Sequence, residues 1–431
     1  MKPARLIWLV CVVAGLASAL LNWFILRNAV WMAPDSWAFW QGSVSLLDQR
    51  GYRLFSNDQP IKEWPPLYSC YLAAWQALFG VSGKVLVAAQ SALAGLATLA
   101  WTRLALALSW RDAPPANHYV WLAGYAQASF VAIFVATRYD CIRADNLKYV
   151  LLPILIGVVE RTWSAVDRAQ LLRQCAGIGA LGMLLMLTHT SSVAFVAAAV
   201  FIVLLARNVS PSARIFGALL ALVLALVPWL ISRSVLEQSG SHQLGAGVAA
   251  YRPLSYLVQV IGGSSTLLIK QPWIAAPLAA LLAFAAWNGL RASALPEPIR
   301  SALALRVLFV ASAAFTLFAL FNVTQITDKL TGRFVFFVPL TLVPAAISVL
   351  AWTERPSLLL AASGLTLLAA VPRVLDLSHG IQTSRDGLHA APDQIALASD
   401  CIRRADALPS WKCSEGTSAR LPPPRSSQRH E

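Results

Sequence analysis

Long apolar runs separated by short polar joints dominate the chain from residue 6 to residue 372. Runs of about 17 to 25 apolar residues can cross a hydrocarbon core about 30 Å thick. Such runs lie near 6–26, 85–101, 118–137, 147–163, 214–232, 272–290, 302–322, 334–351 and 357–372. Residues 175–206, "CAGIGALGMLLMLTHTSSVAFVAAAVFIVLLA", make a longer stretch. As one helix it would measure about 48 Å at 1.5 Å per residue, too long for the core. The polar "THTSS" at Thr188–Ser192 sits in its middle, so two short helices meeting there are predicted, for about 11 spans in all.

Three polar segments are too long to be simple joints: 27–84, 233–271 and 373–431. The first contains "DSWAFWQGSVSLL" and "PLYSCYLAAWQALFG", which read as interfacial helices with aromatic faces toward lipid. The third carries a stretch at 386–412 able to form a short helix or two, and its Pro-, Ser- and charge-rich end "LPPPRSSQRHE" reads as disordered. The expected division is a transmembrane module over 1–372 and a polar tail over 373–431.

Composition sharpens the class. The 431 residues are 58% hydrophobic and 13% charged, with mean hydropathy +0.62, whereas soluble domains carry about 25% charged residues. Sixteen tryptophans suit membrane interfaces. The expected fold is therefore an all-α polytopic membrane protein. No small-residue cleavage site follows the run from Leu6 to Leu26, which reads as the first transmembrane helix. The formal charge of +14 is scattered among loops, so anionic or phosphate-bearing lipids are expected as counter-charges and nucleic acid is not. Lys and Arg divide evenly between the two sets of loops. A cytoplasmic N-terminus is expected from the basic start "MKPAR" and the basic turns at 161–173 and 207–214. The six cysteines lack metal-ligand spacing; Cys401 and Cys413 in the tail would pair only outside the cytoplasm.

Charged groups near a membrane are costly and mark candidate chemistry. On this topology they gather at the outer side: Asp35 in "APDSWAFW", "KEWPPLY" at Lys62–Tyr68, "RYDCIRADNLKY" at Arg138–Tyr149, His189, and "TDKLTGRF" at Thr327–Phe334. Asp35 and Asp145 each open a helical segment, where an aspartate caps free N–H groups and suits the helix dipole. Either could instead act on substrate, Asp35 as a general base. Glu63 reads as a solvated charge beside Lys62 or as a site residue. Arg333 either snorkels or clamps phosphate with its guanidinium. His189 either hydrogen-bonds locally at the helix break or serves as a ligand.

In their order along the chain these motifs resemble the GT-C superfamily of membrane glycosyltransferases, and in particular protein O-mannosyltransferases and the aminoarabinose transferases that modify lipid A. The series is Asp35 after the first span, Pro65–Tyr68 in the same loop, "LFGVSGK" before the second span, Arg143, Asp145 and Leu147 at the fourth, the "LTHTSS" break, and Arg333–Phe334 before a late helix with Pro339. It covers roughly residues 1–350. The resemblance implies transfer of a sugar from a polyprenyl-phosphate donor to a lipid, glycan or protein acceptor at the outer face of a bacterial inner membrane, with inversion. It implies Asp35 as catalytic base and Asp145, Arg333, Lys329, Arg138, Glu63 and Tyr68 as substrate-binding residues. It also implies a divalent cation (Mg, Mn or Zn) on Asp145 and His189. Where these families place a tyrosine after the late arginine, this chain has Phe334.

A transporter or lipid flippase is the competing class. Transporters place charges at mid-membrane on broken helices, often within internal repeats. Here the span interiors read as nearly charge-free and no repeat is evident, which favours an enzyme with its site at one membrane surface.

Overall fold

The computed structural model describes residues 3–27, 30–31, 34–54, 59–61, 64–110, 118–139, 142–206, 208–235, 297–324 and 337–352, with isolated positions up to 367 and the pair 389–390. The helices are α1 (Pro3–Leu26), α2 (Pro34–Leu47), α3 (Leu67–Phe79), α4 (Gly83–Ser109), α5 (His118–Arg138), α6 (Ala144–Trp163), α7 (Arg168–Thr188), α8 (Val193–Leu205), α9 (Pro211–Val235), α10 (Glu297–Thr324) and α11 (Phe337–Trp352). A 3-10 turn at Thr190–Ser192 joins α7 to α8. Two short strands, β1 (Val30–Trp31) and β2 (His389–Ala390), pair antiparallel, with Val30 opposite Ala390.

Local chemistry sets the ends. The Ser82 side chain accepts from Val85 N–H at the start of α4, and Asp167 accepts from Gln170 N–H at the start of α7, satisfying donors that a helix leaves open. At the end of α3, Gly80 takes φ of +86°, a left-handed value that a side chain would resist.

Six described helices are long and apolar enough to cross a membrane: Arg5–Leu26, Gly83–Ala107, Val120–Thr137, Arg168–Thr188, Pro211–Val235 and Arg300–Leu317. On α1 and α9 the large apolar residues point outward, among them Leu16, Leu20, Ile215 and Leu219. Such stripes are a liability in water and the natural surface in lipid. The chain is an all-α, multi-pass membrane protein. Nine of the spans expected from sequence occur as described helices. The segment 272–290 lies outside the described residues, and 357–372 is described only at isolated positions.

Small residues bring the helices together. A Cβ on Gly15 would stand 2.9 Å from the Gly95 carbonyl oxygen, and one on Gly95 would stand 3.0 Å from the Gly15 oxygen. The α1 and α4 backbones thus touch at a matched glycine pair, and beside it Thr98 Oγ1 donates to Ser18 Oγ at 2.8 Å. Gly179 and Gly182 seat α7 on α9 in the same way, meeting Leu224 and Ala225. Gly15→Ala is therefore expected to lower the thermal unfolding midpoint, by an overpacking cost of about 1–3 kcal/mol. Gly177→Ala, whose Cβ would meet only a Val158 methyl at 3.5 Å, is expected to be neutral or stabilising through its helix propensity. Differential scanning fluorimetry on the two detergent-solubilised variants checks this.

Two expectations are corrected. The interfacial helices α2 and α3 form, but most of their aromatic faces turn inward: Phe39, Trp40 and Tyr68 are buried, while Leu78 and Phe79 are exposed. The reason is that α2 and α3 pack on each other. Phe39 meets Tyr68 edge-on at 5.2 Å, Ser69 Oγ donates to the Phe39 carbonyl at 2.9 Å, and Gln76 Nε2 donates to Ser43 Oγ at 3.0 Å. Nor is the bundle interior free of charge. Arg306 on α10, 1% exposed, donates from Nε to Glu160 Oε1 of α6 at 2.6 Å and from Nη2 to the Leu104 carbonyl of α4 at 3.0 Å. Lys148 on α6 is fully buried.

Candidate functional site

One end of the bundle concentrates the buried polar groups. The end of α1, the start of α4, the end of α5, the start of α6 and the α7–α8 joint meet there, with α3 against them. Asn22 of α1 donates from Nδ2 to the carbonyls of Ala136 (2.8 Å) and Tyr139 (3.1 Å), and accepts from Ser91 Oγ at 3.1 Å. Gln90 Nε2 adds a second donor to the Tyr139 carbonyl at 3.4 Å. These contacts satisfy carbonyls that α5 leaves open at its C-terminus. They also tie the end of α5 to α1 and α4.

Tyr68 and Tyr139 carry the network across. Tyr68, fully buried, donates its hydroxyl to Gln90 Oε1 at 3.0 Å. Tyr139 donates to the Asn146 carbonyl at 2.7 Å in the first turn of α6. Burial pushes the Tyr139 phenol well above its ordinary value, with Tyr149, Tyr68, Tyr71 and Asp145 reinforcing the shift, so it remains a neutral donor. A continuous path of contacts thus runs from Phe39 on α2 through Tyr68 and Gln90 to the Asp145 turn.

Asp145 sits in the first turn of α6, 3% exposed, with Arg143 rather than an aspartate at the cap position. It forms an ion pair with Lys148 one helical turn further on. The Lys148 ammonium also stands 3.5 Å from Ser191 Oγ of the α7–α8 joint and lies over the rings of Tyr149 (5.1 Å) and Phe195 (5.9 Å). At that joint His189 caps the 3-10 turn: its Nδ1 accepts from Ser191 N–H at 3.1 Å and contacts Ser191 Oγ at 2.8 Å. Ser192 Oγ is buried there without a hydrogen-bond partner among the described residues. Phe337, which opens α11, meets Phe195 edge-on at 5.0 Å.

The structure thus brings Asp145, His189 and Tyr68 to one end. Asp35 is the second residue of α2 and Arg138 the last of α5; their side chains are not among the described ones. Glu63, Lys329 and Arg333 lie outside the described residues, the last four residues before Phe337. Sequence reasoning did not single out Lys148 or Tyr139 within the run Arg138–Tyr149, nor Ser191 within "THTSS", and it passed over Asn22 and Gln90. The spacing of Asp145 and Lys148 was the available signal, since residues three apart on a helix face each other. The other four pair across separate helices and leave no local pattern.

Asp145 and His189 do not by themselves fit a divalent cation. A backbone N–H can only donate, so the ring nitrogen facing Ser191 must be the acceptor and has its lone pair engaged. The Asp145 carboxylate is engaged by an ammonium. Among the described residues no group of three or more His, Cys, Asp or Glu stands close enough to hold a metal.

No family model and no curated protein sequence matches the chain. Solved structures do. ArnT from Cupriavidus metallidurans bound to undecaprenyl phosphate aligns over 91% of this chain and 72% of its own, at 18% identity and a TM-score of 0.54. ArnT from the same organism in the apo state gives a TM-score of 0.51 at the same identity and coverage. The arabinosyltransferase EmbB from Mycobacterium smegmatis gives 0.49 at 13% identity, over 79% of this chain and 30% of its own. The chain shares the fold of these ArnT structures.

Proposed function

We propose that this protein is a membrane glycosyltransferase that moves a sugar from a polyprenyl-phosphate donor to a lipid, glycan or protein acceptor at the outer face of a bacterial inner membrane, its N-terminus being cytoplasmic. The observation that carries the reading is the convergence of Asp145, Lys148, Ser191 and His189, drawn from two separate regions of sequence, at one end of a bundle with the ArnT fold. The ArnT structure holding undecaprenyl phosphate supports a donor whose lipid chain lies in the bilayer beside the site.

In this reading Asp35 takes the proton from the acceptor hydroxyl as its oxygen attacks the anomeric carbon. The carbon–oxygen bond to phosphate breaks, the electron pair leaves with the polyprenyl phosphate, and the configuration inverts. Phosphate leaves readily only if its charge is met, and a low-dielectric site strengthens that effect. Arg333, Lys329 and Arg138 fill this role. Asp145, Glu63 and Tyr68 orient the donor, and Tyr68 does so through Gln90, which it already holds. No step is routed through a divalent cation.

The test is incubation of purified protein in nanodiscs with a panel of polyprenyl-phosphate sugars, following release of free polyprenyl phosphate by mass spectrometry. Release that requires an acceptor supports transfer. Movement of intact donor across the bilayer with no release would place the protein among flippases instead.

A further inference from the structure

A buried carboxylate that stays ionised needs a counter-charge, supplied either by a metal ion or by a side chain. At Asp145 the chain supplies its own. Lys148 is fully buried and Asp145 nearly so, and the two are paired. The described contacts of the ammonium beyond Asp145 suit a monovalent organic cation: a hydroxyl at 3.5 Å and the faces of two aromatic rings, Tyr149 and Phe195. Ring faces attract an ammonium through their quadrupole. They offer no lone pair to a hard divalent ion, which takes oxygen ligands all round.

We propose that Lys148 is the resident cation of the Asp145 centre. Its ammonium neutralises and orients the Asp145 carboxylate in place of a divalent ion, and through Ser191 it ties that carboxylate to the His189 turn between α7 and α8. Lys148 is thus a positioning residue: it acts on substrate through Asp145. Three elements are registered by one charge. The start of α6 contributes Asp145 and Lys148, the α7–α8 joint contributes Ser191 and His189, and the first turns of α8 contribute Phe195. The catalytic part of this inference rests on the glycosyl-transfer reading; the charge pairing itself does not.

The test uses the full chain in nanodiscs as Lys148→Met, Lys148→Arg, Asp145→Asn and the Lys148→Met/Asp145→Asn double variant. The first readout is thermal unfolding. Each neutralising single variant is expected to lower the midpoint by stranding one buried charge, and the double variant to recover at least about half of the larger loss. Added Mg, Mn or Zn is expected to leave any Asp145-dependent part of the midpoint unchanged. Losses that simply add in the double variant would overturn the proposal. So would an ion that raises the wild-type midpoint but not that of Asp145→Asn.

The second readout is transfer. Lys148→Met is expected to lose about 100-fold in kcat with KM within about threefold, and Lys148→Arg to recover to within about tenfold of wild type. A Lys148→Met protein that transfers at the wild-type rate per folded molecule would reduce Lys148 to a packing role and overturn the assignment. If wild-type protein releases no polyprenyl phosphate from any donor, the transfer reading fails by itself, and the unfolding arm still decides whether Lys148 is the counter-charge.

Discussion

Asp35→Asn is expected to abolish transfer while leaving a folded protein. A positioned general base contributes typically 10²–10⁴-fold, so the rate of polyprenyl-phosphate release should fall by about that factor, with donor KM little changed. The structure makes the alternative role easy to separate. Asp35 is the second residue of α2, behind Pro34, a place where an acidic side chain also suits the helix dipole. That service is worth about 0.3–1 kcal/mol, and an asparagine keeps the side chain's size and one carbonyl oxygen. A cap alone would therefore show as a small drop in unfolding midpoint with an intact rate; a base shows as the reverse. Initial rates and thermal unfolding on the same preparation decide between them. Wild-type turnover by Asp35→Asn would remove Asp35 from the chemistry.

The helical skeleton was readable in the sequence because membrane spans obey one dominant constraint, an apolar length matched to the bilayer. The break at His189 was readable for the same reason: the run was too long, and its polar residues sat at the middle. In the structure α7 ends at Thr188 and α8 starts at Val193. What could not be read was which side of a helix faces protein. The aromatic residues of "DSWAFWQ" suit a lipid interface as well as a core, and only the packing of α2 on α3 turns Phe39 and Trp40 inward. Of the candidate site, Asp145 stood out in the sequence as a charged residue opening a helix, yet Lys148, with which it pairs, was taken with the rest of a polar run, though the two lie one turn apart. Asn22 and Gln90 were out of reach, because each acts on the end of α5 about 50 or more residues away in sequence, and nothing local marks them.

Arg306 gives the second large effect, and it separates stability from chemistry. Its side chain joins three helices by two hydrogen bonds, to Glu160 Oε1 and to the Leu104 carbonyl, across 146 and 202 positions of sequence. Arg306→Met keeps much of the aliphatic stem and removes both bonds. Had Glu160 been fully buried, stranding it would cost the several kcal/mol typical of a broken internal pair. Its side chain is 23% exposed, so water can reach the carboxylate and the penalty is discounted. The remaining loss is that of hydrogen bonds from a charged donor, about 1.5–3 kcal/mol. Arg306→Lys should recover only part of it, since one ammonium on a flexible stem cannot reproduce the guanidinium's fixed fork. Glu160 lies 15 residues along α6 from Asp145, about 22 Å at 1.5 Å per residue, so the bridge is remote from the polar end. The expected result is therefore a lowered unfolding midpoint together with an unchanged transfer rate per folded molecule. A rate that fell with the midpoint corrected for would mean that the tilt of α10 reaches the far end of the bundle, where Phe309 stacks on Phe195 beside Lys148. Phe309 is one turn from Arg306 on the same helix, and its stacking on Phe195 links α10 to the rings around that ammonium.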